Sequence, residues 1–141
     1  MVIWIPGLRK KIQAAIVEAE KSTSGEIRVH VRRRSSGDVF KDAQKMFWRL
    51  NMHRTSQRNA VLIFVALDSR RFAVVGDEGI HQKAGQDFWN QVRDTMQKHF
   101  ESGSNPDAII AGVRLVGQCL KSCFPRKPFD KNELSNNLTS D

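Results

Sequence analysis

The sequence predicts an α/β domain built on a small mixed sheet, and three observations carry that prediction. Residues 60–67 form an unbroken apolar run with polar flanks, which is typical of a central strand buried on both faces. Residues 71–75 resume a strand pattern after the turn residues 68–70, which indicates an antiparallel hairpin. A strand and a helix precede this hairpin, so a right-handed crossover should make the first two strands parallel.

The N-terminal half supplies that helix and strand pattern in order. A first helix is predicted over about residues 8–22, followed by a strand at 26–32 in which apolar and polar residues alternate strictly. The alternation indicates a strand with one face in water or near a sheet edge. Asp38 is a suitable N-cap for a second helix over about residues 39–50.

The C-terminal half predicts two further helices and a tail. A third amphipathic helix covers about residues 85–100. Asn105 as N-cap and Pro106 as first helical residue open a last helix that ends near Ser122. Residues 1–124 therefore form one domain, and residues 125–141, which are polar and rich in Asn and Ser, are expected to be a loosely held tail.

Composition narrows the class of protein. The 141 residues fit a single domain, and the formal charge of +8 indicates either an anionic partner or a solubilising surface. The longest apolar run is too short to cross a bilayer, and the N-terminus lacks the features of a secretion signal, so we expect a cytoplasmic location. Cys119 and Cys123 lie four apart in a predicted helix, which favours core packing over an incomplete zinc site.

The predicted topology gathers oxygen-bearing side chains at one edge of the sheet. The starts of the parallel strands, at Glu26 and Asn59, and the end of the returning strand, at Asp77, should share that edge. Carboxylate and amide oxygens on a turn are the ligands of a hard cation such as Ca²⁺ or Mg²⁺. The alternative is that these residues only cap helices and satisfy turn backbone. The candidate metal ligands are Glu26, Asn59, Asp77, Glu78 and Asp87.

A second cluster is basic. Four arginines crowd the strand at 26–32 and the loop that follows, and they could bind an anion: Arg28, Arg32, Arg33 and Arg34. The alternative is a solvated strand face. The sequence contains no helix-turn-helix, zinc-finger or aromatic-basic strand motif, which argues against nucleic acid as the partner. It also contains no glycine-rich phosphate loop and no nucleophile elbow.

Three segments resemble one known family. Residues 24–29 (Ser-Gly-Glu-Ile-Arg-Val), 58–65 (Arg-Asn-Ala-Val-Leu-Ile-Phe-Val) and 75–80 (Val-Gly-Asp-Glu-Gly-Ile) are similar, in order, to motifs of the TPM-domain family, whose relatives include thylakoid-lumen proteins similar to acid phosphatases. The resemblance covers about residues 8–124. It implies a three-layer α/β/α sandwich with three to four strands and about four helices.

The resemblance also implies a metal pocket, often for Ca²⁺, at one end of the sheet. The positions carried over are Glu26, Asn59 and Asp77, and Asn59 stands where many members carry an acid. Family members have accessory roles in membrane or repair complexes and are associated with LemA-like partners. These roles are expectations for the present chain.

Three functional hypotheses follow. The first is a non-catalytic or weakly catalytic domain that binds a divalent cation. The second is a metal-dependent acid phosphatase, with His81 as the nearby proton-transfer candidate. The third is a basic module for nucleic acid or an anionic membrane surface, which uses the four-arginine cluster.

Overall fold

The computed structural model describes residues 6–127 and 138–140, in which five α-helices, one short 3₁₀ helix and four strands are found. The helices and strands follow one another as α1 (Pro6–Glu20), β1 (Glu26–Arg32), α2 (Val39–Arg49), a 3₁₀ helix (Met52–Arg54), β2 (Ala60–Ala66), β3 (Arg71–Gly76), α3 (Glu78–Ala84), α4 (Gln86–Glu101), α5 (Asn105–Cys123) and β4 (Leu138–Ser140).

The sheet has the order β3-β2-β1-β4. Strands β1 and β2 are parallel, with Glu26 opposite Ala60, and β2 and β3 form the antiparallel hairpin, with Val61 opposite Gly76. Every residue of β2 is buried, as expected for a strand that has helices on both faces. The predicted parallel pair and hairpin are both confirmed.

Helices cover the two faces of the sheet and give the three layers. Because successive strand residues point to opposite faces, β1 and β2 contribute to two separate cores. Residues such as Val29 and Ile63 pack with α1, α4 and α5, whereas Leu62 and Phe64 pack with Ala43 and its neighbours on α2. Helix α2 therefore forms one outer layer, and α1, α4 and α5 form the other.

The polar face of β1 is not in water, and the prediction of a wet or edge strand is wrong. Glu26, Arg28 and His30 are all buried, because β1 is an interior strand with neighbours on both sides. Strand β4 pairs with it in parallel, with Val29 opposite Leu138. The His30 Nδ1 atom also lies 2.7 Å from Oγ1 of Thr139.

Three residues of the predicted loose tail thus add a strand to the sheet. Leu138 is buried and belongs to the core between the sheet and α1, α4 and α5. The remaining predicted tail residues at 128–137 and 141 lie outside the described residues. The alternation rule could not find β4, since three residues are too few to show a period.

The helix boundaries show smaller differences. Asp38 caps α2 as predicted, and its side chain accepts a hydrogen bond of 3.1 Å from the Lys41 amide. Ser104, rather than Asn105, precedes α5. Helix α3 was not predicted; it begins at Glu78, directly after its cap Asp77, and ends at Ala84, and Gly85 with a φ of 80° separates it from α4.

Two further sequence expectations concern the helices. Cys119 and Cys123 are free thiols packed against the core, and burial together with Cys123 raises the pKa of Cys119 to about 12. Among the described residues, no helix combines the length and the apolar composition needed to cross a bilayer.

The buried position of Leu138 gives a direct test of β4. Leu138→Ala should lower the free energy of unfolding by about 2–5 kcal/mol, because it removes a core side chain and leaves a cavity. Val17→Ala on the exposed side of α1 is the matched control, and it should cost about 0.5 kcal/mol or less. Urea unfolding measures both, and equal values for the two variants would contradict the packing of β4.

Candidate functional site

The structure brings three predicted site residues to one rim of the sheet. The Glu26 amide donates a hydrogen bond of 3.4 Å to the Asn59 carbonyl, and the Asp77 amide donates one of 2.9 Å to the Ala60 carbonyl. All three side chains are buried, and Asn59 is only 1% exposed. The convergence predicted from topology is therefore present in the fold.

Asp77 is held by Arg58, which the sequence reasoning did not assign to the site. The Arg58 guanidinium donates to both carboxylate oxygens of Asp77, at 2.6 and 2.8 Å, which is the bidentate geometry of a strong charge-assisted pair. The Asp77 side chain also accepts a hydrogen bond from the Glu78 amide and caps α3. The hydrogen bonds that Arg58 donates to Asp77 raise the pKa of Arg58 above its ordinary value.

The backbone of the Arg58 loop is fitted closely to the start of α3. The Arg58 carbonyl accepts hydrogen bonds from the Gly79 amide at 2.8 Å and the Ile80 amide at 3.3 Å. A Cβ atom added at Gly79 would lie 2.2 Å from the Gln57 carbonyl oxygen. The second glycine of the turn is thus required by this close approach, which fixes the position of Asp77 relative to Asn59.

Asn59 has one satisfied and one unsatisfied side-chain atom. Its Nδ2 donates to Ser24 Oγ at 3.3 Å. Its Oδ1 is fully buried and accepts no hydrogen bond within the described ranges. A buried amide oxygen without a hydrogen-bond donor is destabilising. Asn59 Oδ1 is therefore a candidate atom for binding a ligand.

Glu20 is the rim residue that sequence reasoning missed. Its Oε2 accepts a hydrogen bond of 2.7 Å from the Ile27 amide. Burial, and after it the charge and hydrogen bonding of Glu26, raises the pKa of Glu20 to about 8. Glu20 therefore holds its proton to a higher pH than an ordinary glutamate does. The signal was present in α1, where Glu20 continues the i, i+4 spacing of the buried Ile12 and Ile16.

The other predicted ligands do not join the buried group. Glu78 is exposed and accepts a hydrogen bond of 3.3 Å from Arg58. Asp87 is exposed in the first turn of α4. The exposed His81 ring stacks on Trp89 with a centroid distance of 6.2 Å. Within residues 6–127 and 138–140, no group of three or more His, Cys, Asp or Glu side chains is arranged to hold a metal ion.

The first two predicted anion-binding arginines lie against the sheet. Arg28 is buried, and burial lowers its pKa while the charges of Glu20 and Glu26 oppose that shift. The Arg32 guanidinium lies 5.0 Å from the centre of the Phe64 ring, in cation–π geometry. Arg28 is therefore enclosed, whereas Arg32 is half-buried and lies over the Phe64 ring.

The other two arginines of the predicted cluster lie in the loop after β1. Arg33 pairs with Asp68 at 3.1 Å, and Arg34 is exposed. The four side chains therefore do not form one exposed surface. Arg28 is enclosed because even-numbered residues of β1 face a buried layer, whereas Arg33 and Arg34 are exposed, and anion binding by these residues stays a prediction.

Comparison with known proteins agrees with this fold. The family described as "TPM domain" matches residues 6–119. The chain is 37% identical to the BA42 protein from the psychrophilic bacterium Bizionia argentinensis, whose NMR structure aligns with a TM-score of 0.92 over 99% of this chain and 97% of that one. No curated protein sequence matches significantly.

Two more distant structures share the fold alone. The N-terminal domain of the cg2496 protein from Corynebacterium glutamicum is 15% identical, with a TM-score of 0.67 over 83% of this chain and 74% of that one. The N-terminal domain of a P. gingivalis protein is 18% identical, with a TM-score of 0.69 over 86% and 78%.

The raised pKa of Glu20 predicts a pH-dependent stability. Its folded pKa of about 8 exceeds the reference of 4.5, so the stabilisation it contributes is complete below about pH 4.5 and is lost as pH rises through about 8. Glu20→Gln removes this titration. The stability of the variant relative to wild type should therefore rise between about pH 5 and 8, by at most about 1.4 kcal/mol per pH unit.

Urea unfolding across that pH range measures the effect. Glu18→Gln is the control, because Glu18 is an exposed acid on the same helix and pairs with Lys21 at the surface. Its profile should run parallel to that of wild type. A Glu20→Gln profile that is also parallel to that of wild type would contradict the raised pKa of Glu20.

Proposed function

The chain belongs to the TPM domain family, and from this premise we propose that it binds a divalent cation, Ca²⁺ in the first place, at the rim formed by Glu26 and Asn59. The observation that carries the proposal is the Asn59 Oδ1 atom, which is buried and accepts no hydrogen bond from the described residues. Leaving such an oxygen unpaired costs about 1–3 kcal/mol. A hard cation would satisfy it.

The proposed ligand set differs from the set predicted by sequence. Glu20 and Glu26 supply carboxyl groups, which are close enough for the charge of Glu26 to raise the pKa of Glu20, and Asn59 supplies an amide oxygen. Three oxygen-bearing side chains are fewer than the six to eight ligands of Ca²⁺, so water and backbone oxygens would complete the shell. Mg²⁺, which retains several waters, is the alternative ion.

Asp77 and Glu78 can join the proposed site only when Arg58 releases their side chains. The Arg58 guanidinium occupies both carboxylate oxygens of Asp77 and also contacts Glu78. Its side chain is 39% exposed, so on release it regains solvation in water, which offsets part of the loss of its hydrogen bonds to Asp77. We therefore propose that Arg58 competes with the cation for Asp77. Asp87 is excluded from the proposed set because of its exposed position on α4.

The proposed role is accessory binding rather than hydrolysis. In the phosphatase hypothesis, His81 transfers the proton beside the metal ligands. The exposed His81 ring stacks on Trp89, and no hydrogen bond among the described residues joins that ring to the rim side chains. We therefore propose a cation-dependent accessory role in a membrane-associated or repair complex, with a LemA-like protein as the partner that the family resemblance implies.

Titration with CaCl₂, followed by backbone amide shifts, tests the cation proposal. Saturable shifts are expected at residues 24–27 and 58–60. Glu26→Gln should weaken binding by at least about tenfold, equivalent to about 1.4 kcal/mol, because it removes a charged ligand. Asp87→Asn makes the same charge change outside the proposed set and should leave the affinity unaltered. Equal losses in the two variants, or no saturable shift at millimolar Ca²⁺, would end the proposal.

The competition between Arg58 and the cation makes a second prediction. Arg58→Gln should tighten Ca²⁺ binding several-fold and add amide shifts at Asp77 and Glu78, because both carboxylates become available. Arg34→Gln removes the same charge from an exposed loop position and controls for the change in net charge. The competition is refuted if the two variants bind Ca²⁺ alike or if the shifts at Asp77 and Glu78 do not appear.

A further inference from the structure

Helix α2 displays aromatic side chains on its outer face. Phe40 is 50% exposed and Trp48 is 60% exposed, and they are two of the three large hydrophobic side chains that are exposed in the described ranges. They lie eight residues apart, so they share a face at a separation of about 12 Å along the axis. The inner side of the helix packs on the sheet through Ala43, Met46 and Phe47. The aromatic pair is therefore additional to the core.

A line of cations runs beside the aromatic pair. Lys41, Lys45 and Arg49 are all exposed and recur every four residues, so they form one stripe next to Phe40 and Trp48. The acid of this helix, Asp42, is buried, and its carboxylate accepts hydrogen bonds from Ser35 and Ser36. The outer face of α2 thus carries three positive charges, and the exposed carboxylate beside them is that of Asp38, which caps the start of the helix.

We propose that this aromatic-basic face of α2 docks the domain on an anionic lipid bilayer. Trp and Phe are favoured at the boundary between headgroups and acyl chains, and Lys and Arg extend their charged ends to lipid phosphates. The face is complementary in charge to such a surface, and the net charge of +8 adds long-range attraction.

The shape of the face favours a bilayer over a nucleic acid. It is the convex side of a helix, which can lie along a flat surface, whereas single-stranded nucleic acids bind along basic grooves with open aromatic rings. The His53 ring lies against Trp48 with a centroid distance of 3.7 Å and is tilted by 30° from the indole plane. One side of the indole is thus covered, while the side chain as a whole stays exposed.

The docking face is separate from the proposed cation site. It lies in the α2 layer and shares no residue with Glu20, Glu26 and Asn59. The two proposals can therefore fail independently. The face also differs from the four-arginine cluster predicted by sequence, whose members Arg28 and Arg32 lie against the sheet.

Sedimentation with vesicles tests the docking proposal. The wild-type domain should bind vesicles of phosphatidylcholine mixed with phosphatidylglycerol, bind pure phosphatidylcholine vesicles weakly, and lose binding at high salt. Lys41→Glu with Lys45→Glu should weaken binding at least tenfold. Lys98→Glu with Lys121→Glu is the matched control, because both lysines are exposed on the helices of the opposite layer and the charge change is the same.

A charge-neutral variant tests the aromatic contribution. Phe40→Ser with Trp48→Ser should also reduce vesicle binding, although the net charge is unchanged, and circular dichroism confirms that each variant is folded. Equal losses in the two charge-reversed pairs would show attraction without a docking face and overturn the proposal. Absence of vesicle binding, or binding only to a single-stranded oligonucleotide, would also overturn it.

Discussion

The parallel pairing of β1 and β2 is the constraint on which the rest of the structure depends. Its register sets Glu26 opposite Ala60, and the hairpin then returns Asp77 to the same rim through a backbone hydrogen bond to Ala60. Because strand residues alternate between faces, this register also decides which side chains enter each core. The rim site, the two cores and the position of α2 all follow from that one pairing.

The interior position of β1 has an electrostatic consequence. Its even-numbered residues are charged or polar, and the sheet buries Glu26, Arg28 and His30. Buried charges must be paired or neutralised. Burial and the neighbouring Glu26 raise the pKa of Glu20. Burial lowers the pKa of Arg28, and the charges of Glu20 and Glu26 oppose that shift. The polar face of β1 is therefore largely buried, and the charged groups on it interact with one another and with Glu20.

The rim and α2 differ in which charged side chains they carry and in whether those side chains are enclosed or exposed. At the rim, acids and an amide are enclosed, and one arginine, Arg58, occupies the carboxylate of Asp77. On α2 the cations face outward with Phe40 and Trp48. The net charge of +8 thus describes neither region: it is the arrangement of individual side chains that distinguishes an oxygen-rich site from a docking face.

Periodicity in the sequence determined the parallel pair, the hairpin and the convergence of Glu26, Asn59 and Asp77, because local pattern fixes which face a residue occupies and topology fixes which strand ends meet. Only the tertiary structure decided that β4 covers the flank of β1, that Arg58 takes the oxygens of Asp77 and that Glu20 joins Glu26. These contacts link residues far apart in the chain or depend on burial. Periodicity reports the face of an element but carries no information about what packs against it.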